Sequence, residues 1–324
     1  MLQFVVRRLL ISIPLVLLSS FLVFVLVANS GDPLESLRIN PRVSQATIHQ
    51  RERDLHLDKP VIQRYGIWIS DLAKGDLGKD NGQSPVSGQL YRAVLVTLRL
   101  VVVSIVLAVL IALIIGVIGA LRQYSLFDYS TTFAAFLFFS LPVFWLAALL
   151  KLYGVRLNQW FGHRWVYTIG QQSADLHGGL LARLGDYAGH MVLPAFTLIV
   201  ISMAQYSRFV RSSMLDVLSS DYVRTAEAKG LSRRRVVMRH ALRNALIPVT
   251  TVVTLDFGAV IGGAVVTEAV FGWKGMGTLL ITGVQQFDVN IVQAWLLVTA
   301  VMVVLFNLLA DVIYAYLDPR IRLG

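Results

Sequence analysis

Cysteine does not occur anywhere in this chain of 324 residues. Its absence excludes disulfide bonds, thiolate metal sites and a catalytic thiol. Charged residues are also scarce, since Asp, Glu, Lys and Arg together make up 15% of the sequence. Hydrophobic residues make up 56%, and the mean hydropathy is +0.66, which lies outside the range of a soluble domain of this length. The composition predicts an integral membrane protein.

Motifs of catalysis and cofactor binding are missing as well. The phosphate-binding pattern G-x-x-x-x-G-K-[ST] does not occur, and the Gly-Lys pair in GDLGKD lacks both the spacing and the hydroxyl residue. The six histidines are scattered without the spacing of a metal site. The glycine-rich stretch GWKGMG, at 272–277, is interpreted as a tight turn after a span. We therefore expect no catalytic residue, no metal and no directly bound cofactor.

Six stretches are long and apolar enough to cross a bilayer. A hydrocarbon core of roughly 30 Å takes about 20 residues of α-helix at ~1.5 Å per residue. The predicted spans are Leu9–Ala28, Leu100–Leu121, Ser130–Leu150, Met191–Ser207, Leu246–Val266 and Ile291–Tyr316. The first is longer than the apolar region of a signal peptide, so we expect it to be retained. The predicted fold is all-α, with six transmembrane helices.

The distribution of Lys and Arg predicts which side of the membrane each loop occupies, because loops rich in these residues stay in the cytoplasm. Both termini carry arginine pairs, and nine basic residues against three acidic ones lie between residues 208 and 243. With six spans, these three regions fall on the same side. We expect both termini in the cytoplasm, with 317–324 as a cytoplasmic tail.

The longest predicted segment outside the membrane lies between the first two spans. Residues 29–92 contain nine Lys or Arg against eight Asp or Glu, so their charge does not oppose export. We predict a small, partly helical external subdomain at 30–92, after an N-terminal span at 1–29 and before a five-helix core at 93–316. The aromatic loop at 151–190 is also predicted to be external.

One acidic residue, Asp256, lies near the middle of the fifth predicted span. A carboxylate at the bilayer centre costs about 2.5–3.5 kcal/mol on insertion scales, so its side chain should face a cavity or a partner helix. Three interpretations are open: the residue lines a translocation path, forms a hydrogen bond between helices, or couples transport to protons. Asp256 is the sequence's candidate for a translocation path.

Residues 208–246 are called the basic loop below. Within this loop, residues 220–230 have the pattern of a short capped helix. Ser220 and Asp221 are candidate caps for a helix that begins at Tyr222, because their side-chain oxygens can accept its first free amides. Gly230 suits the left-handed position that ends such a helix. The pattern therefore predicts a helix bounded by a polar cap and a glycine.

The basic loop continues with a second predicted helix. Ser232 can cap a helix that runs from Arg233 toward Asn244, before Pro248 opens the fifth span. Its arginines are candidates for contact with anionic headgroups or an acidic partner: 233, 234, 235, 239 and 243.

The first helix of the basic loop also has small residues beside cations. Thr225, Ala226 and Ala228 are predicted to form a surface that another protein's backbone can approach closely, framed by Arg224 and Lys229. A topology anchor alone explains the charge of this loop, but it does not explain the capped and glycine-broken geometry.

The basic loop resembles the cytoplasmic loop of the membrane permease subunits of bacterial ATP-binding-cassette (ABC) importers. The family pattern E-A-A-x-x-x-G corresponds here to Arg224, Thr225 and Ala226, then Gly230, with Arg in place of Glu. The wording YVRTA-x-AKG and RHALRNALIP is typical of the dipeptide, oligopeptide and nickel branch. Segments along nearly the whole chain resemble its first (B-type) permease component: VVRRLLISIPLVLLSSFLVFVLV, GDPLESLRINPRVS, LDKPVIQRYGIWISDLAKGDLG, VVTEAVFGWKGMGTLL and DVIYAYLDPRIRLG.

The resemblance implies the type I ABC importer permease fold and a multi-pass location in the bacterial inner membrane. It also implies a coupling helix seated in a groove of an ATPase subunit, formed by Tyr222, Arg224, Thr225, Ala226, Ala228, Lys229, Gly230 and Leu231. The implied partners are a second homologous permease subunit, two ATPase subunits or one fused ATPase, and an external solute-binding protein. ATP and magnesium would be bound by the ATPase subunits.

The resemblance favours an ATP-driven importer of oligopeptides or dipeptides, in which this chain forms half of the translocation path and is not itself an enzyme. Nickel, opines and glutathione are alternative substrates. Two other classes stay open: a proton-coupled secondary transporter that uses Asp256, and a receptor-like membrane protein with a cytoplasmic interaction loop.

Overall fold

Helices account for nearly all the regular structure, as expected where backbone groups must be satisfied within lipid. The structure, a computed structural model, describes residues 2–174 and 178–317, and the side chains within these ranges except those of 2–9, 36, 259, 262, 263 and 310–317. No β-strand occurs in these ranges. The predicted all-α fold is confirmed.

The helices of the described ranges follow one another with short connections. In chain order they are α1 (Leu2–Ser30), α2 (Glu35–Ile39), α3 (Gln45–Asp54), α4 (Val61–Ala73), α5 (Val86–Leu121), α6 (Leu126–Ser140), α7 (Val143–Phe161), α8 (Leu180–Leu218), α9 (Asp221–Ala228), α10 (Arg233–Arg235), α11 (Leu242–Phe271), α12 (Met276–Gln285) and α13 (Val289–Leu317). A π-helical segment, Val236–Ala241, joins α10 to α11 without a break.

Four helical stretches are long and apolar enough to cross a membrane. They are Leu10–Ser30, Val86–Leu121, Leu180–Leu218 and Val289–Leu309. The number rises to six if each of two helix pairs, separated by short breaks, counts as one span. The six predicted spans agree with this upper count in number only, because the second pair, Ala264–Phe271 with Met276–Gln285, overlaps the predicted fifth span, Leu246–Val266, only at residues 264–266.

The predicted third span, Ser130–Leu150, is not one continuous helix. It is divided into α6 and α7, which meet at an angle of 101°. Pro142 has no N–H group to donate and its ring disfavours a helical conformation at the residue before it. Leu141 accordingly has an extended conformation, with φ of −79° and ψ of 131°. The prediction of an unbroken helix here was wrong because it followed the length of the apolar run and took no account of Pro142, which stands inside that run.

The predicted fourth span, Met191–Ser207, covers less than half of a much longer helix. α8 has 39 residues and contains Pro194. The preceding loop is shorter than the predicted 151–190, because α7 extends to Phe161 and α8 begins at Leu180. Charged residues such as Asp186 end the apolar window without ending the helical hydrogen bonding, so α8 extends beyond the predicted span at both ends, and the predicted loop bounds were wrong.

The chain forms two compact units, one of which comprises residues 2–96 and 274–302. In this unit α1 packs on α4 through Phe24 and Trp68. Tyr65, also in α4, stacks on Trp68 with 6.1 Å between the ring centroids. The Asn81 amide N–H donates to the Asp288 carboxylate at 2.6 Å, which ties the end of the segment between α1 and α5 to the start of α13.

Among the described residues, the other unit comprises 97–174, 178–273 and 303–317, and α8 supplies many of its buried residues. One buried cluster of this unit consists mostly of small side chains: Ala120, Val210, Met214, Val237, Ala241, Ala245 and Val249. Small residues let helices approach closely. At Gly116 in α5, an added Cβ would lie 2.6 Å from the Val210 Cβ and 2.8 Å from the Ser207 carbonyl oxygen. The backbone of α8 therefore requires a glycine at this position.

We expect Gly116→Ala to lower the stability of the folded protein by about 1–3 kcal/mol, because the new methyl group meets a backbone atom that cannot rotate away. The measurement is the melting temperature of the purified protein in lipid nanodiscs. Gly185→Ala is the matched control, since a Cβ at that position of α8 has no atom within 4 Å. Equal melting temperatures for the two variants would contradict the close approach of α5 and α8.

Candidate functional site

The first helix of the basic loop, α9, begins at Asp221 and ends at Ala228. Ser220 precedes it with the extended backbone of a capping residue, with φ of −74° and ψ of 151°. Its hydroxyl does not accept an amide of α9 but donates to the Val217 carbonyl at 2.5 Å. The predicted cap position is confirmed, whereas the predicted side-chain cap by Ser220 was wrong, because the hydroxyl bonds back to α8.

Gly230 ends α9 with a left-handed backbone, at φ of +76°. Its amide donates to the Glu227 carbonyl at 2.9 Å, and the Leu231 amide donates to the Ala226 carbonyl at 3.4 Å. This pair of bonds is a Schellman motif, which uses the last free carbonyls of a helix and favours glycine at its left-handed position. The conformation predicted for Gly230 is confirmed, and it turns the chain sharply toward α10.

The inner face of α9 packs against the start of the following helix. Val223, Ala226 and Val236 form a buried cluster, with Leu231 packed against it. Val223 and Ala226 are three residues apart and so share one face of the helix. Ala226 is 7% exposed. The prediction that it forms part of an accessible small-residue surface was therefore wrong.

The outer face of α9 carries most of the remaining residues predicted to contact an ATPase. Tyr222, Arg224, Thr225, Ala228 and Lys229 are all exposed. This face therefore combines an aromatic ring, two cations and two small side chains. It is the surface of the basic loop that a partner can reach.

A side-chain hydrogen bond fixes α9 to α11. The Asn244 Nδ2 group donates to the Tyr222 hydroxyl at 3.0 Å and to the His240 carbonyl, also at 3.0 Å. The exposed face of α9 and the base of α11 are thus joined by a direct contact as well as by the buried cluster.

The predicted second helix is not a separate helix that ends near Asn244. From Arg233 the chain is helical through the π-helical segment and α11 to Phe271, with Pro248 inside the run. Membrane helices tolerate proline because local π-helical adjustments and hydroxyl groups compensate for the lost bond. The Thr250 hydroxyl, close to Pro248, donates to the Ile247 carbonyl at 2.8 Å, whereas the carbonyl that lacks the proline's N–H is that of Asn244, four residues earlier. The basic loop is therefore connected to the apolar part of α11 by an unbroken helical path.

The cations of the basic loop face outward. Seven Lys or Arg side chains in and after α9 are exposed: 224, 229, 233, 234, 235, 239 and 243. None of the seven forms an ion pair within residues 2–174 and 178–317. Their charge is available to an acidic partner or an anionic surface.

Asp256 lies in α11 and is partly buried. Its carboxylate accepts a hydrogen bond from the Tyr206 hydroxyl of α8 at 2.8 Å, and Tyr206 is almost completely buried. The structure thus supports the interhelical hydrogen bond among the three interpretations of Asp256. Its role in lining a translocation path stays a prediction.

An ion pair that the sequence did not predict links α6 to α8. The Arg211 guanidinium donates to both carboxylate oxygens of Asp128, at 2.5 and 2.7 Å, and the Tyr124 amide donates to the same carboxylate at 3.0 Å. Asp128 is 2% exposed. In the sequence Arg211 is one of the nine basic residues between 208 and 243, and no local pattern connects it to a residue 83 positions away. The ion pair holds α8 against α6 near the end of α8 that leads into α9.

No metal site accompanies these contacts in the part of the chain that the structure describes, where no group of three His, Cys, Asp or Glu residues could hold an ion.

Two family models match the chain. The model described as "Binding-protein-dependent transport system inner membrane component" matches residues 108–323. The model described as "Binding-prot-dependent transport system membrane comp, N-term" matches residues 1–93.

Curated relatives match over their full lengths. The chain is 42% identical over 325 residues to the oligopeptide transport system permease protein OppB of Mycobacterium bovis, covering 100% of both chains. It is 38% identical to the oligopeptide permease protein AppB of Bacillus subtilis, covering 99% of this chain and 100% of the relative. It is 37% identical to the dipeptide permease protein DppB of Escherichia coli K12, covering 99% of each.

Among solved structures, the chain is similar to a chain of the MetNI methionine ABC transporter in inward-facing conformations. The TM-score is 0.55 at 18% identity, over 72% of this chain and 97% of that one. At this identity the likeness concerns the fold alone.

We expect Tyr206→Phe to lower stability by about 1–3 kcal/mol, because it leaves the Asp256 carboxylate without its donor. Asp256→Asn should have a smaller effect, since the amide oxygen can still accept the hydrogen bond. Melting temperatures in nanodiscs test both changes.

A larger loss for Asp256→Asn than for Tyr206→Phe would contradict the hydrogen-bond role. A loss of solute flux in Asp256→Asn at unchanged stability would instead support the prediction that its charge lines a path.

Proposed function

The chain belongs to the family of binding-protein-dependent transport system inner membrane components, and we propose that it is the permease subunit of an ATP-driven importer of oligopeptides or dipeptides. The observation that carries the proposal is its similarity, from end to end, to permeases named for oligopeptide and dipeptide transport. The apolar helices support a multi-pass membrane location. We place it in the bacterial inner membrane, with both termini in the cytoplasm and the segment between α1 and α5 outside.

In this proposal the chain forms half of the translocation path, and a second, homologous permease subunit forms the other half. An external solute-binding protein delivers the substrate. Two ATPase subunits, or one fused ATPase, bind ATP and magnesium and carry out hydrolysis. The permease itself is not a catalyst, and its task is to convert a movement of the ATPases into a change of access.

The outer face of α9 is the proposed contact with the ATPase. It offers Tyr222 for packing, Arg224 and Lys229 for charge, and Thr225 and Ala228 for close approach. An ATPase groove with acidic residues on its rim would match the unpaired cations. Ala226 and Leu231 take part from the inside, because they hold α9 against Val236.

Movement of α9 can be passed on because α9 is fixed at several points. Its inner face is packed on the segment that leads into α11, Gly230 sets the turn, and Asn244 holds Tyr222. When ATP binding closes the ATPases, a displaced α9 would therefore carry the base of α11 with it. Rigid-body displacement of packed elements of this kind is a common means of alternating access.

Peptide uptake by the complete importer tests the proposed function. In cells or proteoliposomes that contain all subunits, uptake of a labelled tripeptide should continue when an ionophore abolishes the proton gradient. It should stop when the ATPase subunits are removed or carry a hydrolysis-deficient substitution. Uptake with the opposite dependence would identify a proton-coupled secondary transporter, and binding without uptake would identify a receptor.

We expect Gly230→Val to uncouple ATP hydrolysis from transport while leaving membrane insertion intact. A β-branched residue strongly disfavours the left-handed backbone at this position, so the turn after α9 should be displaced. The measurement is the ratio of peptide transported to ATP hydrolysed in proteoliposomes.

Gly230→Asn is the matched control, because Asn tolerates the left-handed conformation and a Cβ at this position has no atom within 4 Å. It should retain most of the coupling. If Gly230→Val transports normally, the turn after α9 is not needed for coupling.

A further inference from the structure

Five arginines follow α9 and are not used by its proposed contact with the ATPase. All five are exposed: Arg233, Arg234, Arg235, Arg239 and Arg243. Their side chains form no ion pair and no hydrogen bond with any residue that the structure describes. The sequence has no acidic residue between Glu227 and Asp256, so no carboxylate adjacent in the chain offsets their charge.

The helical path from these arginines into the membrane indicates how far each one lies from the hydrocarbon core. The chain is helical without a break from Arg233 to Phe271, and its apolar run begins at Leu246. At ~1.5 Å per residue, Arg243 lies about 4–5 Å and Arg239 about 10 Å along the helix from Leu246. The arginines at 233–235 lie about 16–20 Å from it.

The headgroup layer of a bilayer is thin enough to divide these arginines into two groups. A total thickness of about 40–45 Å around a core of about 30 Å leaves about 5–8 Å on each side. Arg243 lies within this layer, and Arg239 can reach it because a long side chain lets the guanidinium extend toward the headgroups. The arginines at 233–235 lie beyond the layer, in water.

A guanidinium at the level of the headgroups matches a lipid phosphate. Its planar fork of N–H groups can donate two parallel hydrogen bonds to phosphate oxygens. An anionic lipid surface also attracts each nearby arginine by an amount that corresponds to about fivefold in binding. A soluble ATPase approaches from the aqueous side and would meet the arginines at 233–235 before it met Arg239 and Arg243. Position and charge together therefore favour a lipid as the partner of these two.

We propose that Arg239 and Arg243 bind the phosphate groups of anionic phospholipids. In the proposed orientation these lipids belong to the cytoplasmic leaflet. Bound headgroups would hold the base of α11, which Asn244 joins to α9 through Tyr222. Cations that only fix the topology of a loop have no need of a particular lipid, so a preference for anionic lipid distinguishes the two roles. The proposal does not depend on the solute that the importer carries.

Native mass spectrometry of the purified full-length chain, titrated with phosphatidylglycerol or with phosphatidylcholine, tests this site. The first lipid is anionic and the second is zwitterionic. Wild-type protein should bind phosphatidylglycerol at least about tenfold more tightly than phosphatidylcholine. Arg239→Gln and Arg243→Gln should each weaken the binding of phosphatidylglycerol by about fivefold and affect phosphatidylcholine less, because each removes one cation from the site.

Arg234→Gln is the matched control, since Arg234 is an exposed arginine of the same run but lies about 18 Å along the helix from Leu246. It should leave the lipid preference unchanged. Melting temperatures in phosphatidylcholine nanodiscs identify any variant that fails to fold, and if one of the two test variants unfolds, the other decides the question. Equal binding of the two lipids by the wild type, unchanged binding in both folded variants, or the same loss in Arg234→Gln would overturn the proposal.

Binding of the ATPase subunits separates a lipid from an acidic protein as the partner of these arginines. In nanodiscs of phosphatidylcholine alone, Arg239→Gln and Arg243→Gln should bind the ATPase subunits as tightly as the wild type does. Weaker ATPase binding by both variants, together with unchanged binding of phosphatidylglycerol, would assign the two arginines to the ATPase and overturn the proposal.

Discussion

The requirement that polar groups find partners within the protein controls this structure. A bilayer core offers backbone N–H and C=O groups no water, so the chain crosses it as helices that satisfy themselves. The breaks are where this requirement becomes visible. At Leu141 and Pro142 one apolar run becomes two helices that meet at 101°. At Pro248 the helix instead continues, and the carbonyl that lacks the proline's N–H is that of Asn244, three residues after the π-helical segment ends at Ala241.

The same requirement determines where side chains can carry charge. Asp128 and Arg211 satisfy each other between α6 and α8, and Asp256 accepts from Tyr206 between α8 and α11. α8 takes part in both contacts, and it leads directly to α9. Breaking a buried pair of this kind is costly because it leaves one group unsatisfied. The polar pairs therefore restrict how α8 can move relative to its neighbours, while apolar contacts alone would allow more sliding.

The sequence predicted well what depends on local chemistry. Apolar length indicated the number of spans, though not the break at Pro142 or the length of α8, and the glycine at position 230 was assigned its left-handed turn, since nearby residues decide these features. Predictions from the sequence failed where the position of a side chain depends on residues far away in the chain. Ala226 was expected on the surface because small residues suggest a contact with another protein. Instead it packs with Val223 and Val236 in a buried cluster, so the face of α9 that carries it points inward. Equally, no pattern in the sequence joins Asp128 to Arg211.

Close packing and a largely helical backbone distinguish this arginine-rich loop from a simple connection. A loop that only fixes topology needs cations, and its backbone conformation is of no consequence. A loop that transmits a displacement must resist bending, because any internal deformation absorbs the movement before it reaches the membrane helices. The burial of Ala226, the Schellman turn at Gly230 and the bond from Asn244 to Tyr222 all oppose such deformation. The unbroken helical run beyond them then leads into α11, which bonds to α8 through Asp256.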